Sequence, residues 1–334
     1  MPAIIGDLPV ITTSSRSTFR RCHQRWYWQY VLGLNPKTTP NALWFGIGVH
    51  EALALWYRKG RKRGPHPAET FELWHQGEEE REIFAARSDR ELQQIDDAKY
   101  EDALTLGVDM LEGYVEEYGR DPYWKVIAVE HPFKIRVIYQ GKPIAYFMST
   151  WDGVYLDLRD WQIYLMEHKT ATAVQTAYLE LDDQGGIYWA VAQAVLRAKG
   201  ILKPDEEIAG ITYNFLRKAR EDQRQQNAAG ESLNLNGTVS KRQPIERFVR
   251  ETMERSPRER RTQMERLAKE ARLMTGMISG ELPVTKNTQK DCPQCPFFTI
   301  CKLHERGGSA WKEVASVDFT KGEPYDRYLK TAAA

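Results

Sequence analysis

Cysteine is scarce, net charge is almost absent, and no apolar run approaches the roughly 20 residues that a membrane span requires. The chain has 334 residues, with 47 Lys plus Arg against 46 Asp plus Glu, a net charge of +1. That balance excludes a surface coated in positive charge, but it leaves room for a basic groove offset by acidic helices. Met1 to Thr12 show no basic start followed by a long apolar stretch. No secretory signal is therefore expected, and the chain reads as cytoplasmic with no membrane partner. The pattern G-x-x-x-x-G-K-S/T is missing, and with it a P-loop motor. No internal repeat is evident. Hydrophobic residues make up 42% and charged residues 28%, which is ordinary for a soluble chain long enough to pack a core.

The four cysteines are Cys22, Cys292, Cys295 and Cys301, and the last three form C-x2-C-x5-C. Four thiolates are the number that a zinc ion or an iron–sulfur cluster needs. Two disulfides would serve an exported chain, but cytosolic thiols are normally kept reduced. Zinc usually draws its ligands from two short knuckles, whereas one ligand here is single and remote. A cubane cluster tolerates three ligands from one segment and one from afar. Either group would staple the two ends of the chain together and close a very long loop.

Residues 14–31 are expected to be helical, entered through the hydroxyl cluster Thr12 to Ser15. Further helices are expected at 44–59, 66–90, 96–119 and 183–199. Residues 126–138, 143–157, 162–168 and 208–216 are rich in Val, Ile, Tyr and Phe and read as strands, with another at 244–254. The polar stretch 219–243 is expected to be a long, mobile loop. Ser256-Pro257-Arg258-Glu259 then supplies an N-cap, a proline at the first helical position and the glutamate of a capping box, opening a basic helix to about Ser279. The cysteine knuckle and a tail follow. The order suggests a single α/β domain over 1–334 with a helical cap and a metal-closed edge.

The stretch 146–170 carries the chemistry. If Arg159 and Asp160 form a hairpin tip, Asp152 lies directly opposite Glu167 with Cβ atoms about 5 Å apart. Two carboxylates that close repel unless a cation sits between them. Lys169, two residues past Glu167, shares that face, while His168 and Asp157 fall on the other. Two acids and a lysine suit metal-assisted phosphodiester hydrolysis, because Mg²⁺ and Mn²⁺ prefer carboxylate oxygens. A surface salt-bridge cluster is the alternative. In Gly46-Ile47-Gly48-Val49-His50, the histidine could add an imidazole ligand. Gln184 and Tyr188 are four apart and share a helix face.

Taken together, Ser15, Ser17 and Cys22, then G-x-G-x-H, Asp152, E-x-K-T, Q-x-x-x-Y and C-x2-C-x5-C follow one order. That order resembles the RecB-like branch of the PD-(D/E)XK nucleases. More narrowly, it resembles the iron–sulfur exonucleases related to the CRISPR-associated nuclease and the AddB nuclease domain, whose phage-encoded versions are about this size. The resemblance spans residues 14 to 301. It implies a restriction-endonuclease-like mixed central sheet flanked by helices, with a nuclease core at 44–216. It further implies an iron–sulfur edge built from 14–31 plus 280–305. Asp152 and Glu167 would bind catalytic Mg²⁺ or Mn²⁺, with His50 and the carbonyl of His168 completing the shell. Lys169 would assist the nucleophilic water, and Gln184 and Tyr188 would orient the lysine or the DNA. Cys22, Cys292, Cys295 and Cys301 would hold a 4Fe–4S cluster. The implied activity is DNA exonuclease action on single strands or ends, in recombination, repair or phage DNA processing. A helicase or recombination partner would supply any motor. The family's aspartate motif continues with arginine and a second acid, whereas here Gly153 follows Asp152. The nuclease subunit of a helicase–nuclease complex is one rival reading; a non-catalytic DNA-binding adaptor with a four-cysteine zinc or iron–sulfur staple is the other, and the intact Asp152, Glu167 and Lys169 set argues against it.

Residues 16–30 interleave Arg16, Arg20, Arg21 and Arg25 with Trp26, Tyr27, Trp28 and Tyr30. Such a segment either grips single strands through phosphates and stacked bases, or forms core with its arginines in solvent. The helix after Ser256 carries Arg258, Arg260, Arg261, Arg266, Lys269 and Arg272 alongside acidic neighbours, so it reads equally as a salt-bridged face.

Overall fold

A computed structural model describes residues 4–37, 41–88 and 97–322, with side chains described except at 41–43, 78–88 and 97–101. The elements run β1 (Ile4–Ile5), β2 (Leu8–Thr12), α1 (Thr13–Arg21), α2 (His23–Trp26), a π-helical turn (Tyr27–Val31) and β3 (Leu34–Pro36). Three helices follow, α3 (Asn41–Trp56), α4 (Pro67–Ser88) and α5 (Asp97–Tyr118). Then come β4 (Trp124–Tyr139), β5 (Lys142–Asp157), β6 (Gln162–Ala171), α6 (Asp183–Ala198), β7 (Ile208–Arg217) and β8 (Phe248–Met253). The chain continues through α7 (Pro257–Ile278), α8 (Phe298–Glu305), α9 (Ala310–Asp318) and β9 (Phe319–Lys321). Positions 89, 90 and 96, expected as helix ends, lie outside the described residues. Among the described residues, no helix is long and apolar enough to cross a membrane.

The result is a mixed α/β fold with a central sheet in the order β1-β2-β5-β6-β7-β8, and β4 paired to β5. β2 runs parallel to β5 and β6 parallel to β7, while the other pairs are antiparallel. The parallel β6–β7 pair needs a crossover, which α6 supplies. β5 organises the sheet. One edge carries β4 throughout, and the other carries β2 at Tyr146–Met148 and then β6 from Gly153 to Asp157. Asp152 sits at that fork.

Helices cover both faces. Leu267, Ala271 and Met274 of α7 recur at helical spacing and join Val191 and Ala192 of α6 against Val154, Leu165 and Ile211. On the other face, Val49, Ala52, Leu53 and Trp56 form the buried stripe of α3, packed with Phe71, Met110, Tyr114 and Met166. Because both faces of β6 are covered, its sequence does not alternate. In the G-x-G-x-H stretch, a Cβ on Gly48 would lie 2.3 Å from the Trp74 ring, so glycine lets α3 approach α4.

Beneath the sheet, Arg250 of β8 bonds Asp121 (2.5 Å), the hydroxyls of Tyr57 (2.9 Å) and Tyr114 (2.8 Å), and Asn214 Oδ1 (3.2 Å). Asp121 is buried, so removing its cation strands a charge away from water. Arg250→Met should lower unfolding free energy by about 3–5 kcal/mol in denaturant titration. An unchanged midpoint would contradict the network's structural role.

Several expectations change. Residues 14–31 do not form one helix: Cys22 is extended (φ −163°) between α1 and α2. The tail is not a tail, because Ala315 of α9 and Phe319 of β9 pack with Trp28, and β9 pairs with β3. The 219–243 loop contains two small bridges, Gln226 with Ser232 and Leu233 with Val239, and the Asp222 carboxylate accepts from Arg224 and Ser232.

Candidate active site

The β5–β6 register is the one expected from the sequence. Gly153 pairs with Met166 and Asp157 with Gln162, so Asp152 and Glu167 are the next positions out. The ladder is locked there by the His168 backbone N–H, which donates to Asp152 Oδ2 at 2.6 Å. A Cβ on Gly153 would lie 2.5 Å from the Met166 methyl, the mobile end of a flexible side chain.

Lys169 Nζ donates to Glu167 Oε1 and to Gln184 Oε1, each at 2.7 Å. The Gln184 amide in turn donates to Glu167 Oε1 at 2.6 Å and to the Tyr188 hydroxyl at 3.2 Å. Gln184 and Tyr188 face the strand together because they sit one turn apart on α6. The Tyr188 hydroxyl also meets Ser149 Oγ on β5 at 2.7 Å, and Ser149 meets Thr13 Oγ1 at 3.0 Å. The lysine is therefore held from β6, α6, β5 and the start of α1, a rigid setting for one ammonium group.

His50, on the flank of the α3 stripe, places Nδ1 3.3 Å from Asp152 Oδ1. One atom each from His50, Asp152 and Glu130 of β4 lie within 4.8 Å of one another. Burial would lower the His50 pKa, but the Asp152 carboxylate outweighs it and pushes the imidazole up to about 9. Burial would raise Asp152, but His50 and the His168 N–H hold it down to about 2. Glu167 moves the other way: burial, aided by the charge of Asp152 and opposed by Lys169, pushes it up to about 7. For Lys169, Glu167 overcomes burial and raises the ammonium pKa. Adjacent carboxylates with pKa values driven apart are a feature that acid–base and metal sites share with structural ion-pair networks.

A hard divalent cation fits this donor set. Glu167 is only 3% exposed, and its Oε2 has no hydrogen-bond partner. A buried carboxylate oxygen without a partner is costly, and a cation beside Asp152 would satisfy it and reverse the upward pKa shift. The His168 ring is not available for this. It lies on the opposite face, stacked on Tyr57 with centroids 5.6 Å apart and accepting from Asn214 Nδ2 at 2.9 Å. Burial pushes its pKa down to about 3, so it is neutral.

Asp157 is likewise on the far side, bonded to Arg159 Nη2 at 2.5 Å. Asp157→Ala should leave the chemistry of the Asp152–Glu167 site essentially intact and cost about 1–2 kcal/mol of stability. An activity loss as large as that of Asp152→Ala would contradict the assignment of faces.

The four cysteines are free thiols. Cys22, Cys292, Cys295 and Cys301 all line one cavity of about 60 Å³, together with Trp28 and Phe297. Cys22 reaches it because α1 breaks there, and Cys292 opens a 3-10 turn. Burial raises the Cys301 thiol pKa; Lys286 opposes this, and the other three thiols add to it.

The aromatic-basic segment resolves as core. Trp26, Trp28 and Tyr30 are buried. Arg16 and Arg20 pair with Glu270, Arg20 also with Asp183, and Arg21 with Asp291. In α7, Arg266 pairs with Asp183 and Arg272 with Glu281. Sequence reasoning missed Glu130, Ser149 and Thr13. Ser149 and Thr13 carry no spacing signal, and an isolated glutamate in a strand has none either.

The family profile of the PD-(D/E)XK nuclease superfamily matches residues 10–302. A solved structure from Eubacterium rectale, described as a candidate exonuclease, is similar at 10% identity and a TM-score of 0.46. The similarity covers 90% of this chain and 89% of that one. No curated protein matches the chain.

Proposed function

We propose that this chain, which belongs to the PD-(D/E)XK nuclease superfamily, is a divalent-metal-dependent DNA exonuclease stapled by a 4Fe–4S cluster. The observation that carries the reading is Lys169, fixed by Glu167 and Gln184 beside a partnerless carboxylate oxygen and facing Asp152. Asp152, Glu167, His50 and the His168 carbonyl would hold Mg²⁺ or Mn²⁺. The ion would supply Lewis acidity at the phosphate and a lowered pKa for a water. The chain does the rest. Asp152 and Glu167 converge from paired strands and fix the site of reaction. The ammonium of Lys169 orients the attacking water and offsets charge developing on the phosphate. Gln184 holds that ammonium in place, and Tyr188 braces Gln184 against Ser149.

The cysteine cavity supports the cluster. Cys22, Cys292, Cys295 and Cys301 line that cavity together, so one shared group could draw on all four thiols. A tetrahedral zinc site with Zn–S of about 2.3 Å needs sulfurs about 3.8 Å apart. A cubane, with four thiolate ligands, is the larger group that such a set could hold. DNA ends or single strands are the expected substrate, in recombination, repair or phage DNA processing. A helicase or recombination partner would supply any motor.

The metal requirement is tested by titrating Mn²⁺ into EDTA-treated protein with labelled DNA. Activity should appear with Mn²⁺, vanish on chelation and return on re-addition. Hydrolysis that persists in EDTA would contradict the reading.

A further inference from the structure

Glu130 lies in the middle of β4, yet its backbone is left-handed, with φ of 42°. Outside glycine, asparagine and aspartate that conformation is uncommon and strained. Its immediate neighbours stay in the ladder to β5: Val129 pairs with Gly153 and His131 with Trp151, with a register shift further back between Val126 and Ala128. The left-handed residue is the one opposite Asp152. Irregularities of this kind re-aim a side chain and gather at functional sites. Here the carboxylate ends among the ligand atoms of His50 and Asp152, all within 4.8 Å of one another.

An acidic cluster alone would say little, but two further observations point to a cation. The group includes an imidazole, whose Nδ1 faces Asp152 at 3.3 Å. Beyond Asp152, Glu167 is 3% exposed and keeps one oxygen without a hydrogen-bond partner. The geometry points to Glu130 as a ligand of the divalent cation, joining His50 and Asp152. This rests on the metal-dependent reading above and adds to it a residue from a third strand. Glu130 would bring a further hard oxygen, which Mg²⁺ or Mn²⁺ favours. Its strained backbone would then be kept for metal binding and not for folding.

That last point makes the proposal testable apart from activity. Glycine adopts the left-handed conformation without strain, so Glu130→Gly should not lower the melting temperature of the metal-free protein. Glu130→Gln keeps the shape and removes the charge. Mn²⁺ binding, read by electron paramagnetic resonance of free Mn²⁺ and by calorimetry, should weaken at least about tenfold in both variants. Glu130→Asp should recover part of that loss. Mn²⁺ bound as tightly by Glu130→Gln and Glu130→Gly as by the wild type, with Glu167→Gln impaired, would overturn the assignment and leave the metal site standing. A wild-type protein that binds no Mn²⁺ would overturn both the assignment and the reading beneath it.

Discussion

Lys169→Ala is expected to lower DNA hydrolysis by about 10³-fold, the scale for removing one preorganised charge from a reacting phosphate. Glu167→Ala should do at least as much, because it removes a cation ligand and the partner of the lysine together. Neither change removes apolar helix-to-sheet packing; each removes only polar contacts between β6 and Gln184 of α6. Lys169 and Glu167 bond each other and Gln184 at the end of one hairpin. The fold and the affinity for DNA should therefore survive, as read by melting temperature and by fluorescence anisotropy in EDTA. Appreciable hydrolysis retained by both variants would sink the catalytic assignment. Unfolding of both would make the network structural.

Cys22→Ala is expected to bleach anaerobically purified protein, remove its iron and lower its melting temperature on the order of 10 °C. The size follows from topology. Cys22 sits at a break between α1 and α2, whereas Cys292, Cys295 and Cys301 belong to the far end of the chain, and all four line one cavity. A group held there closes a loop of most of the chain, so losing it leaves the two ends joined only by the β3–β9 pair and the core around Trp28. Protease cleavage near both termini should rise, and activity should fall because the fold loosens. A Cys22→Ala protein with unchanged iron and unchanged melting would mean that the remote cysteine is not a ligand.

The parts legible in the sequence are those fixed by short-range rules. The β5–β6 register followed from two acids flanking one hairpin, and the α7 cap from Ser256, Pro257 and Glu259, whose capping box is present. What the sequence hid depends on partners far along the chain. Leu8–Thr12 is too short an apolar run to announce a strand, and it is one because Tyr146–Met148 offers an edge. Helix 14–31 breaks at Cys22, although local propensity favours continuity. Phe319 becomes a strand residue because Leu34–Pro36 lies beside it, with Phe297 stacked on its ring at 4.9 Å. Glu130 was invisible for the same reason: its meaning lies in a backbone distortion opposite Asp152, which no spacing encodes.

The most direct test of the central claim compares two DNA substrates in Mn²⁺, one linear and end-labelled, the other a covalently closed circle of the same sequence. A metal-dependent exonuclease built on Asp152, Glu167 and Lys169 should release short labelled products from the linear DNA and leave the circle intact, with Lys169→Ala inert on both. Cleavage of the circle at a comparable rate would contradict the exonuclease reading, and release from neither substrate by the wild type would contradict the nuclease itself.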